Sequence, residues 1–240
     1  MLSAMRSVSR LPRLALLGIL GVAVVATPGA AAALRSVTLD PLLAPRATAE
    51  IDWNSKAAAG GVDPFVLITP DPAEREAAVD CLADAIYYEA AFEPVAGQRA
   101  VAQVIVNRVR DRNFPKSVCG VVFQGAERKT GCQFTFTCDG SMKRRPPKPK
   151  QIARAKVIAE QALSGYVATE VGTATHYHTD YVDPYWRPTL NKVAKVGDHI
   201  FYKWPGKAGK PTALKNERYK GDEVDVWAEY AARPVGRVLG

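Results

Sequence analysis

The sequence predicts an α+β domain in which helices dominate and a small sheet follows them. Three features carry this. Apolar residues recur at helical spacing within residues 71–93, 97–110 and 149–164. Short alternating or aromatic-rich stretches at 132–138, 175–178 and 196–202 read as strands and aromatic loops. About 200 residues remain once an apolar leader is set aside, enough for one domain with its own core.

The chain opens like an exported protein. Arg6, Arg10 and Arg13 precede an uncharged apolar run from Leu14 to Ala26, and small residues continue to Ala33, where an Ala-x-Ala cleavage fits. The run is short for a membrane span, which needs about twenty residues. Residues 1–33 therefore read as a signal peptide, with an uncleaved anchor as the alternative and the only route to a membrane. Cleavage removes three Arg and no acid, which lowers the formal charge from +8 to +5. That balance suits an acidic polymer. Export favours an anionic wall over nucleic acid, so no nucleic-acid partner is expected.

Residues 34–72, rich in Ala, Pro and Asp, read as a linker with some order near Phe65-Val-Leu-Ile. Asp71-Pro72 is a helix start, with Asp71 as N-cap and Pro72 in the first turn. That helix ends before Pro94. Val79, Leu82, Ala83, Ile86, Tyr87 and Ala90 form its apolar stripe, and Glu89 lies about 20° from Leu82, at the stripe's margin. The second helix, Gly97 to Arg110, carries Gln98 and Arg108 on the same face as Val101, Val104, Ile105 and Val109. Buried polar groups need partners. These two either close a structural network or orient a site beside Glu89.

Residues 113–145 read as loop and short strand, including Val118–Phe123 and Cys132–Cys138. Lys143–Lys150 is a basic, Pro-rich loop, either solvated surface or a help in holding an anionic strand. A third helix spans Pro149 to Ser164 and stops at Gly165. Residues 73–204 make up the predicted domain, and 205–240 read as a polar tail of low order. The four Cys at 81, 119, 132 and 138 suit an oxidising compartment and match no common zinc spacing. An extended 132–138 strand would hold its Cys about 20 Å apart, too far to bond. This favours Cys119 with one of them and Cys81 with the other, unless a hairpin folds the segment.

Glu89 is a candidate general acid. A carboxyl half out of water holds its proton to higher pH. The alternative is an ordinary solvated helix-border Glu. Glu93 stands four residues on, before Pro94, where it either couples to Glu89 or caps the second helix. Glu93 and Asp139 are the nominal second carboxylates of a two-acid glycosidase. His176 and His178 are spaced to share a strand face, and His199 completes three imidazoles, the ligand count of some catalytic zinc sites. The alternative is imidazoles hydrogen-bonded in a polar groove. Gln133 and Thr135 alternate with Phe134 and Phe136 and could face a ligand. Tyr177 belongs to a dense aromatic set around these motifs.

Taken together, these motifs resemble the SleB/CwlJ-type cell-wall hydrolase family. The matching stretches are Ala85-Ile-Tyr-Tyr-Glu89-Ala-Ala-Phe-Glu93-Pro, Gly97-Gln98 through Asn107-Arg108-Val, Cys119-Gly, Gly131-Cys-Gln-Phe-Thr-Phe-Thr-Cys138-Asp-Gly, Thr175-His-Tyr-His178 and Gly197-Asp-His199-Ile-Phe-Tyr202. They run in family order over residues 78–203. The resemblance implies a lysozyme-like, lytic-transglycosylase-related mixed helical domain with a small antiparallel sheet, and makes Glu89 the catalytic acid. Two departures are visible: Ala91-Phe92 stands where the family often has Arg-Gly, and Thr135 where it often has Ser.

The resulting expectation is a monomeric enzyme of the periplasm or cell envelope that needs no cofactor. It cuts peptidoglycan glycan strands at the β-1,4 bond between N-acetylmuramic acid and N-acetylglucosamine, as a lytic transglycosylase with Glu89 as acid and base. Glu93, Gln98, Arg108, Gln133, Thr135, His176, Tyr177, His178 and His199 support or bind. Two other classes stay open: a metal-dependent amidase or peptidase built on the three His, and a non-catalytic wall-binding module.

Overall fold

Asp71 starts the first helix as its sequence dictates. Its carboxylate accepts the Ala73 amide at 2.8 Å, Pro72 follows, and helix α1 runs Pro72–Ala90. The computed structural model describes residues 61–128 and 131–232. The predicted leader and residues 34–60 of the predicted linker lie outside the described residues, as do residues 233–240. Among the described residues no helix is long and apolar enough to cross a membrane.

Helix α1 is not one-sided. Ala77, Ala78, Val79, Cys81, Leu82, Ala83, Ala85, Ile86 and Ala90 are all buried. Its many Ala let neighbours approach closely from several directions. Helices α2 (Val95–Arg110), α3 (Val118–Val122), α5 (Pro149–Leu163) and α6 (Glu223–Ala232) all pack on it. Complete burial of Leu82 and Ile86 contributes roughly 1.5–3 kcal/mol each. Helix α2 is buried along most of its length. Helix α5 ends where expected, with Gly165 at φ 101° behind it. Residues before α1 join the core: Phe65 and Leu67 are buried, and the Leu67 amide donates to the Leu163 carbonyl at 2.8 Å.

A buried amide ladder fixes the chain between α5 and the sheet. Gln103 Nε2 donates to Asn107 Oδ1 at 2.9 Å, and Asn107 Nδ2 donates to the Gly172 and Ala174 carbonyls at 2.8 Å. The Ala168 amide donates to Gln103 Oε1 at 2.9 Å. These bonds satisfy buried polar groups of α2 and seat the 168–175 loop, which leads into the sheet. Strands β1 (His176–Thr179), β2 (Asn191–Val196) and β3 (His199–Lys203) form an antiparallel sheet of order β1-β3-β2. Tyr177 pairs with Phe201, His178 with Ile200 and Thr179 with His199.

Several stretches differ from the sequence reading. Val118–Val122 is a helix, not a strand, capped by Ser117 Oγ, which accepts the Gly120 amide. Residues 132–138 form no strand. They bend through a 3-10 turn at Thr135–Thr137, followed by the short helix α4 (Ser141–Arg144). The bend brings the Cα atoms of Cys132 and Cys138 within 6.4 Å, so these two pair, and Cys81 pairs with Cys119. The preferred cross-pairing is thereby overturned, because it assumed an extended segment. The stretch after 204 is ordered through residue 232. Three 3-10 turns lead to α6, whose Glu223 is fully buried. The Glu223 carboxylate accepts the Val118 and Cys119 amides at 2.8 and 2.7 Å and so caps α3 from more than a hundred residues away.

Candidate active site

The last turn of α1 opens onto a cleft of about 790 Å³. Tyr87, Tyr88, Glu89, Phe92 and Glu93 form one wall. Thr135, Phe136, Ser141, Arg145 and Lys148 line it from the segments around α4, and Gly197 and Asp198, at the tip of the β2–β3 hairpin, close one end.

Glu89 is placed by α1 and partnered from the sheet. Tyr177 Oη donates to Glu89 Oε2 at 3.1 Å. Burial pushes the pKa of Glu89 above the ordinary carboxylate range, while the Tyr177 hydrogen bond and the Arg108 charge pull downward without cancelling it. Burial, followed by the neighbouring Glu89, keeps Tyr177 a phenol, so the phenol is the donor. Arg108 lies buried between the rings of Phe114, Phe134 and Tyr177. Its Nε donates to the Thr175 carbonyl at 2.7 Å, immediately before β1. Helix α2 thus holds the start of the strand that delivers Tyr177 to Glu89.

Glu93 is a clasp and does not cap α2. The Asp198 amide donates to both of its oxygens at 3.2 Å. Gln98 Nε2 donates to the Glu93 carbonyl at 2.9 Å, the structural one of its two expected roles. Oε1 of Glu93 lies 3.6 Å from His199 Nδ1, beyond hydrogen-bond length, and burial lowers the pKa of His199. Gly197 is required here. Its φ is +61°, and a Cβ would sit 1.7 Å from Glu93 Oε2. Gly197→Ala is expected to lower stability by about 1–3 kcal/mol through strain and overlap. A urea midpoint equal to wild type would show that the hairpin tip yields freely.

The other predicted residues divide. Thr135 lines the cleft. Gln133 does not; its amide donates to the Gln124 carbonyl at 2.9 Å, tying off the bend. Asp139 caps α4 by accepting the Ser141 amide at 2.7 Å and lies outside the cleft lining. The three imidazoles do not converge. The register puts His176, His178 and Tyr202 on one face of the sheet and Tyr177, His199 and Phe201 on the other. His178 Nε2 lies 2.9 Å from Tyr202 Oη, and His176 sits among Phe114, Trp186 and Trp204. The geometric basis for a three-His metal site is therefore lost, and among the described residues no group of three or more His, Cys, Asp or Glu could hold a metal ion.

Sequence reasoning missed Asp198 and Ser141, and it reached Arg145 and Lys148 only as part of a basic loop that could help hold an anionic strand. It also missed Asp84, whose pKa is raised to about 7 by burial and then by Asp80. Asp84 lies about 140° around α1 from Glu89 and does not line the cleft.

Residues 92–202 match the Cell Wall Hydrolase family model, which begins three residues after Glu89. A spore cortex-lytic enzyme of Bacillus cereus is 35% identical over 126 residues, covering 52% of this chain and 44% of that protein. The chain thus spans less than half the length of that curated relative. The catalytic domain of the germination-specific lytic transglycosylase SleB from Bacillus anthracis is 31% identical, with 57% of this chain and all of that chain covered and a TM-score of 0.45. The SleB catalytic domain of Bacillus cereus gives 32% identity, 57% and 95% coverage, and the same TM-score. Residues 92–202 are a domain of the cell wall hydrolase family.

Proposed function

We propose that this chain cleaves the glycan of peptidoglycan at the β-1,4 bond between N-acetylmuramic acid and N-acetylglucosamine, as a lytic transglycosylase. The observation that carries the reading is the Glu89 carboxyl, held in a cleft with a burial-raised pKa and a phenol donor at 3.1 Å. Protonated Glu89 gives its proton to the glycosidic oxygen as the C1–O bond breaks. The resulting carboxylate then takes the proton of the muramic acid 6-hydroxyl as O6 bonds to C1, closing a 1,6-anhydro ring without water. One acid suffices, which suits a site where Glu93 is already occupied by the Asp198 amide.

The same cleft supports a second reading. Asp198 is exposed on the cleft wall and could activate water, as in a glycosidase with two carboxylates. Mass analysis of digested sacculi separates the two: anhydro-muropeptides support the transglycosylase, and reducing muramic ends support the hydrolase. Sacculi that bind the protein but stay intact would sink both and leave a wall-binding module. The roles given to the cleft residues, the signal segment at 1–33 and a periplasmic or envelope location form part of this proposal. Two disulfides among the described residues suit that compartment.

The proton economy gives a pH test. The acid form of Glu89 is active, so activity falls as pH rises through its raised pKa. The Tyr177 hydrogen bond favours the carboxylate. Tyr177→Phe should therefore raise the Glu89 pKa further and move the alkaline limb of kcat to higher pH. A limb that stays in place, or moves to lower pH, would contradict this role for Tyr177.

A further inference from the structure

We infer that Arg145 and Lys148 form a subsite for the carboxylates of the peptides carried by the glycan, held in fixed relation to Glu89 by the two tyrosines that precede it. The inference rests on the glycan-cleaving reading and adds a substrate requirement to it.

Arg145 and Lys148 are exposed and belong to the basic, Pro-rich stretch Lys143–Lys150. The structure ties that stretch to the catalytic helix. Tyr88 Oη donates to the Arg145 carbonyl at 3.0 Å, and the Lys148 amide donates to Tyr87 Oη at 3.1 Å. Pro146, Pro147 and Pro149 stiffen the backbone around these anchor points. Tyr88 is itself held by stacking on Phe136, with ring centroids 4.7 Å apart. The positions of the two cations are therefore set by the residues immediately before Glu89.

The cleft is electrically polarised as a result. Glu93 and Asp198 lie towards α1 and the hairpin tip, and Arg145 and Lys148 lie on the lining contributed by the loop after α4. Phe92 stands between, 81% exposed, with Lys148 Nζ 5.8 Å from its ring centroid. Exposure of that size has no packing explanation, and an aromatic face at a cleft edge is a platform for a sugar ring. The sugars of the glycan are uncharged. Its anionic groups are the carboxylates of peptides attached through the lactyl ether of N-acetylmuramic acid, next to the bond to be cut. A strand laid against Glu89 brings those carboxylates to the lining that Arg145 and Lys148 share. An arginine and a lysine there offer charge-assisted hydrogen bonds to them.

The test uses the full chain and two substrates: glycan strands bearing their peptides, and the same strands with the peptide carboxylates converted to methylamides. Wild type is expected to show kcat/KM about fivefold higher on the strands with free carboxylates, the scale of one partly exposed ion pair. Lys148→Met, which keeps the alkyl stem beside Phe92, should bring that ratio close to one, and Lys148→Arg should restore it. Cosedimentation of the Glu89→Gln protein should show the same ordering for binding alone. Equal wild-type rates on both strands, or an unchanged ratio in Lys148→Met, would overturn the subsite and leave the glycan-cleaving reading standing. Cleavage of neither strand by wild type would overturn that reading and the subsite with it.

Discussion

Glu89→Gln is expected to leave a folded protein that no longer lyses purified sacculi, with a rate loss of about 10²–10⁴-fold. The amide has nearly the shape of the acid and can still accept the Tyr177 hydroxyl, so the cleft wall should keep its geometry. What disappears is the transferable proton. Turbidity of a sacculus suspension reports the loss, and far-UV circular dichroism checks the fold. Asp84→Asn is the informative control. Asp84 also holds its proton to about pH 7, yet it lies around the helix and outside the cleft lining. If Asp84→Asn abolished lysis while Glu89→Gln did not, the acid would have been assigned to the wrong turn of α1.

Removing the Cys81–Cys119 bridge with a pair of Ser substitutions should cost about 4 kcal/mol, from chain entropy at a sequence separation of 38. The bridge joins the central helix to α3, so the loss is global and should appear as a lower urea midpoint. The Cys132–Cys138 bridge closes a separation of only six, and the same reasoning gives about 2 kcal/mol. Its loss should act nearer the cleft, because the bend that it closes presents Thr135 and Phe136. Equal destabilisation by the two pairs would contradict the loop-length argument.

Local signals were legible wherever a single residue type settles a backbone conformation. Asp71-Pro72 begins α1, Pro94 stands behind its end, and Gly165 stops α5. The i, i+2 spacing correctly put His176 and His178 on one face. It could not show that His199 faces the other way, because that depends on which residues of β1 and β3 pair. The five residues of α3 are too few to display a helical period, and their cap lies in α6. Phe134 and Phe136 are both buried, as a strand would have them, yet they achieve this across a turn stabilised by Thr137 Oγ1 donating to the Phe134 carbonyl. An alternating pattern records which side chains are covered and not the backbone path between them. At the site, the half-buried position of Glu89 was legible from the margin of the stripe, which by itself fitted an ordinary border Glu equally well. The Arg145–Lys148 lining was legible only as a basic stretch, and its attachment to α1 was not, because one partner of each anchoring bond is a backbone group.

The Glu223 cap has a consequence for how the chain comes to be folded. Until residue 223 has been synthesised, the first turn of α3 has two amide groups with no acceptor, and the flank of α1 that α6 covers stays open to water. A ribosome-bound chain that already includes the cleft, the sheet and all four Cys therefore still lacks the piece that closes its centre. Residues 223–232 are a keystone, and deleting them should loosen the whole arch before it touches the cleft.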